Sequence, residues 1–120
     1  MSLNKKTTPN LPENNCSVSY TQRLIAGRWK LVIMWQLSKQ TRRFNELLKL
    51  LPGVSKGILT RQLREMEEDG LVHREVYKEV PPKVEYSLTK EGQDFLPILT
   101  SMGNWGAKHR ENQEKKKNNK

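Results

Sequence analysis

Ser55, Lys56, Gly57, Thr60, Arg61 and Arg64 place two hydroxyls, three cations and a glycine on one short stretch of chain that holds no acid. Leu59, Leu63 and Met66 follow at i, i+4 and i+7, so as a helix this stretch has one apolar stripe and carries most of its polar set on the other side. Such side chains hold polyanions: cations and helix N-termini take phosphate oxygens, and Arg, Lys, Ser and Thr reach base edges in a groove. Gly57 leaves room for close backbone approach. Glu65, Glu67, Glu68 and Asp69 crowd the other end, against the helix dipole, which turns the acids away from a polyanion met by the first half.

The flanking residues supply a frame for this helix. Ser55 is a good N-cap, and Gly70 stands where a C′ glycine ends a helix over 55–69. Upstream, Asn45 is placed to cap a helix Glu46–Leu51 that Pro52-Gly53 breaks. Two helices joined by about four residues including a glycine form a helix-turn-helix. In that arrangement the N-terminal residues of the second helix meet bases. Arg42 and Arg43, in an extended or minor-strand segment 41–44, are candidates for backbone phosphates.

Downstream, residues 71–77 and 84–88 alternate as strands, and Pro81-Pro82 forbids a helix between them. The simplest reading is a hairpin with Tyr77 and Tyr86 facing each other and Lys78 and Lys83 on either side of the prolines, a stiff basic tip placed for an adjacent minor groove or phosphate backbone. Before the pair, a short helix from Ser17 or Ser19 stops at Gly27, and a central helix runs from Arg28 to Ser38. After the hairpin, Thr89 caps a last helix with Phe95, Leu96, Leu99, Met102 and Trp105 on its apolar face. Pro97 predicts a break near Asp94. The fold class is therefore mainly α with a small β-hairpin wing, a winged helix-turn-helix.

At 120 residues the chain has room for one domain. Residues 1–13 read as a flexible arm, 14–110 as the domain and 111–120 as a disordered basic tail. The longest apolar run, Leu31–Trp35, is far too short to span a membrane, and Lys5-Lys6 precede no apolar segment. A membrane protein is excluded and a cytoplasmic location expected. A single cysteine excludes an internal disulfide and a cysteine-rich zinc site. No Ser-His-Asp set, paired catalytic carboxylates, phosphate-binding glycine loop or metal spacing is present, so neither an enzyme nor a cofactor or metal is expected.

The net charge of +9 favours a polyanionic partner. Residues 41–64 hold six basic residues and one acid, net +5, whereas 65–90 hold four and seven, net −3. Charge and topology thus point to one face, and the reading is a DNA-binding module. Two alternatives remain: a winged helix whose basic face docks an acidic protein, and an architectural DNA binder without an effector.

Cys16 lies before a helix N-terminus, near Arg23 and Lys30 in sequence. It is either a thiolate favoured by the dipole and those cations or a small inert hydrophobe. Trp29, Trp35 and Trp105 suit core or dimer interface better than a ligand pocket. His109 reads as a last-turn cation.

From Cys16 to Trp105 the sequence resembles the HxlR family of bacterial winged-helix transcription regulators. The matching segments are the early Cys16, Gly27-Arg28-Trp29-Lys30, Arg43-Phe44-Asn45-Glu46-Leu47, Pro52-Gly53-Val54-Ser55, Leu59-Thr60-Arg61-Gln62-Leu63, Glu68-Asp69-Gly70-Leu71-Val72, and the run from Val80 through Pro81-Pro82-Lys83 to Thr89. Arg28 stands where lysine is common. The resemblance implies a homodimer formed through the terminal helices on a pseudo-palindromic operator of double-stranded DNA, repressing or activating nearby genes. It also implies that an electrophile or oxidant can act at the early cysteine as a thiol switch.

Overall fold

The computed structural model describes residues 16–119; the expected arm 1–13 lies outside them. The elements are α1 (Ser17–Leu24), α2 (Lys30–Lys39), α3 (Phe44–Leu50), α4 (Lys56–Glu68), β1 (Val72–Tyr77), β2 (Lys83–Leu88), α5 (Lys90–Asp94) and α6 (Leu96–Asn118). The core forms where the stripes of α2 (Ile33, Met34, Leu37) and α4 (Leu59, Leu63, Met66) meet Leu47 of α3. Leu51, Leu71, Val72, Leu88 and Leu99 complete it. Burying each such side chain contributes roughly 1.5–3 kcal/mol before chain entropy is counted. Val32 and Trp35 of α2 remain over 40% exposed, so this helix has one buried face and one open face.

Local chemistry sets the element ends. Ser55 Oγ accepts the Ile58 N–H at 3.1 Å and starts α4 as expected. Its other end is a Schellman turn: Gly70, at φ +78°, donates to Glu67, and Leu71 donates to Met66 at 2.9 Å. Leu71 and Met66 are both buried there.

The α3 cap differs from expectation. The helix begins at Phe44, two residues early, because half-buried Phe44 packs on the core and Glu46 accepts the Arg43 N–H at 2.7 Å. Asn45 is left exposed inside the helix.

The hairpin is antiparallel, with Val72 opposite Leu88 and Tyr77 opposite Lys83. Tyr86 therefore faces Arg74, not Tyr77. Arg42 adds a single bridge at its side, exchanging backbone hydrogen bonds with Tyr86 at 3.0 and 2.8 Å. Thr89 caps α5 by accepting from Gly92, and its hydroxyl also donates to the Gly70 carbonyl at 2.6 Å. The chain breaks at Phe95, with Pro97 in the first turn of α6.

Residues 111–118 continue α6 instead of forming a disordered tail. Glu, Gln and Lys are good helix formers, and Lys115, Lys116 and Lys117 suit the negative end of the dipole. Every residue of that segment is exposed, and His109 sits inside the helix.

Candidate nucleic-acid interface

The outer face of α4 carries Lys56, Gly57, Arg61 and Arg64, all exposed, with half-buried Thr60 between them. On a helical wheel these five fall within one arc of about 140° at 100° per residue. Neither Lys56, Arg61 nor Arg64 is held in an ion pair among the described residues. A Cβ on Gly57 would meet nothing within 4 Å, so no internal packing demands glycine there. With Ser55 at its N-cap, α4 presents three cations, two hydroxyls and an open backbone to solvent.

The opposite face ties α4 to the start of α2. Buried Gln62 accepts the Trp29 N–H at 3.1 Å, next to Gly27, whose φ of +133° and contact with the Gln62 amide leave no room for a side chain. Lys30, 4% exposed, reaches Glu65 Oε1 at 2.8 Å. Neither tie was read from the sequence, yet a signal was there. Lys30, Ile33, Met34 and Leu37, like Leu59, Gln62, Leu63 and Met66, repeat at i, i+3, i+4 and i+7, so each polar residue sits on a core stripe. Buried polar groups at such positions require partners.

The expected accessory contacts are not all brought to one face. Arg43 is exposed at the start of α3. Arg42 is half-buried, with Nε donating to the Gln36 carbonyl at 3.2 Å and a terminal nitrogen to Gln36 Oε1 at 3.4 Å. Lys78 is exposed on the wing, whereas Lys83 has Glu79 and Glu85 at 3.8 and 3.9 Å.

Cys16 lies apart, half-buried at the N-cap of α1. Its thiol pKa is held below the ordinary value by backbone hydrogen bonds from Ser19 and Val18 and by the Ser19 hydroxyl. The expected role of Lys30 in this is replaced by its bond to Glu65. No helix among the described residues is long and apolar enough to cross a membrane.

The family model of the HxlR-like helix-turn-helix matches residues 24–114. The chain belongs to that family. The HTH-type transcriptional regulator YdeP of Bacillus subtilis (strain 168) is 47% identical over 100 residues, 83% of this chain and 78% of YdeP. Among solved structures, the redox regulator HypR in its reduced form aligns with a TM-score of 0.79 and 44% identity, over 82% of this chain and 98% of that one. The reduced form of the transcriptional regulator YodB from B. subtilis gives 0.68 and 30%, over 75% and 88%. This HxlR-type chain is thus a helix-turn-helix transcriptional regulator, with α3 and α4 as its pair and β1–β2 as its wing.

Proposed function

We propose that the protein is a homodimeric, sequence-specific DNA-binding repressor acting in the cytoplasm. It lays α4 in the major groove of a pseudo-palindromic operator and is switched by an oxidant or electrophile at Cys16. The observation that carries the reading is the outer face of α4, where Lys56, Arg61 and Arg64 stand exposed beside Ser55 and Thr60 with no acid among them. Arginine and lysine there suit guanine edges or phosphates, and the N-terminal amides of α4 suit a phosphate. Arg43 and Lys78 serve as backbone contacts, whereas Arg42 and Lys83, both engaged internally, are assigned no phosphate.

Two copies are needed to read a two-fold operator, and the terminal helices offer a surface for pairing. Ile98, Met102 and Trp105 of α6 are 51, 40 and 69% exposed, and Val18 of α1 is 76% exposed. Between α2 and α6 lies a groove of about 480 Å³ lined by Leu31, Val32, Trp35, Leu99 and Met102 among others. Exposed apolar side chains gathered on neighbouring helices are what a homodimer interface covers.

The thiol switch is supported by the lowered pKa of Cys16 and by likeness to a redox regulator. With one cysteine per chain, the chemistry is a disulfide between two copies, a mixed disulfide with a small thiol, or alkylation. The test is fluorescence anisotropy on DNA upstream of its coding region, before and after a thiol oxidant, with Cys16→Ser as control. Tight binding that changes on oxidation only when Cys16 is present supports the whole reading. Binding indifferent to DNA sequence overturns it.

A further inference from the structure

The wing ends in three successive exposed apolar residues, Val80, Pro81 and Pro82, with Val80 98% exposed. Lone surface valines are ordinary; a projecting apolar tip on a hairpin beside a basic helix asks for a partner. The charges behind it cancel. Arg74, Lys78 and Lys83 are matched by Glu75, Glu79 and Glu85, so the wing 72–88 is neutral. Lys83 Nζ sits 4.4 Å over the Tyr77 ring with Glu79 and Glu85 just beyond. Glu85 holds the Tyr77 phenol above its ordinary pKa, and His73 bonds Glu75 at 2.7 Å. Of the two lysines at the tip, Lys83 is held between two carboxylates, which leaves Lys78 alone for a backbone phosphate.

Apolar side chains, proline among them, enter the minor groove as wedges at steps that unstack cheaply. Proline also fixes its own φ, so little conformational freedom is lost when such a tip is seated. We propose that Val80 and Pro81 are specificity-determining contacts. The wing enters the minor groove beside the α4 site and reads it by apolar fit, favouring flexible pyrimidine–purine steps over stiff A-tracts. This rests on the DNA-binding reading above and adds a contact mode that charge alone does not supply.

The test uses a duplex enriched from a random-sequence library by the full-length wild type, with Val80→Ser and Lys83→Gln as variants. Val80→Ser should keep the wild-type melting temperature, since its side chain is almost wholly in solvent. It should weaken binding on the order of fivefold to tenfold with an unchanged salt slope. It should also lose hydroxyl-radical protection of the flanking minor-groove sugars. Replacing the flanking pyrimidine–purine step by an A-tract should weaken wild type and leave Val80→Ser unmoved.

An unaltered footprint and affinity for Val80→Ser overturns the proposal. So does a salt slope for Lys83→Gln shallower by about 0.9, the mark of a phosphate contact. Failure of the library to yield any enriched sequence removes the DNA-binding reading, and this inference with it; enrichment with indifferent flanks removes the wing contact alone.

Discussion

Arg61 and Arg64 lie one turn apart on the face of α4 that packing leaves open, and the two substitutions separate two kinds of contact. If Arg61 or Arg64 meets a base, its change to Ala costs about 1–3 kcal/mol of operator binding and relaxes specificity at one position. If it meets a phosphate, affinity falls alike on all sequences and the salt slope drops by about 0.9. Gel-shift titrations of both variants across a salt series decide between these, and wild-type behaviour for both rejects α4 as the reading helix. At Cys16, the thiolate fraction sets reactivity. Because the folded pKa is lowered, the alkylation rate should rise with pH and reach half its maximum below the ordinary thiol value of about 8.5. A midpoint at or above that value contradicts the hydrogen-bonded thiolate. These residues were legible because polar groups on the far side of an apolar stripe must face water. The internal engagement of Arg42 and Lys83 was not legible, since a basic side chain looks the same in sequence whether its partner is Gln36, a glutamate or a phosphate.

At the scale of elements, α4 is held by its back face as much as by its caps. Gln62→Leu leaves the Trp29 N–H without its acceptor, which should cost about 1–3 kcal/mol of stability. Thermal melts should show it as a lowered Tm, roughly 4–8 °C per kcal/mol for a domain of this size. Glu65→Gln strands the buried Lys30 charge and should lower Tm as well; an unchanged Tm in both variants would make the ties incidental. The helix pair, the hairpin and the break before Pro97 could be read because caps, glycines and prolines act within a few residues. The start of α3 shifted by two residues because tertiary packing of Phe44 outweighed the local preference of Asn45. The C-terminal residues 111–118 lack apolar side chains, so periodicity gave no sign of helix; propensity and the lysine-rich end are what extend α6.

At the scale of the whole molecule, the exposed cations of α4 and the exposed apolar side chains of α1, α2 and α6 lie on different elements, so the proposed reading gives DNA contact and pairing of copies separate surfaces. Trp105→Glu should shift the protein toward monomer in sedimentation experiments while leaving its secondary structure intact. A stable dimer after that change places the interface elsewhere. Two paired copies should protect half-sites about 34–36 Å apart, one helical turn, or a multiple of it. Charge balance and element order announced the module, and the neutral count of 72–88 stands in the sequence. What the sequence does not report is that Lys83 lies between Glu79 and Glu85.

The most direct measurement is an anisotropy titration of the library-enriched duplex against a scrambled duplex of equal length and composition, over a range of salt. Specific regulation predicts about 10³-fold or more tighter binding to the enriched duplex, with affinity falling steeply as salt rises. Equal affinity for the two duplexes would contradict it.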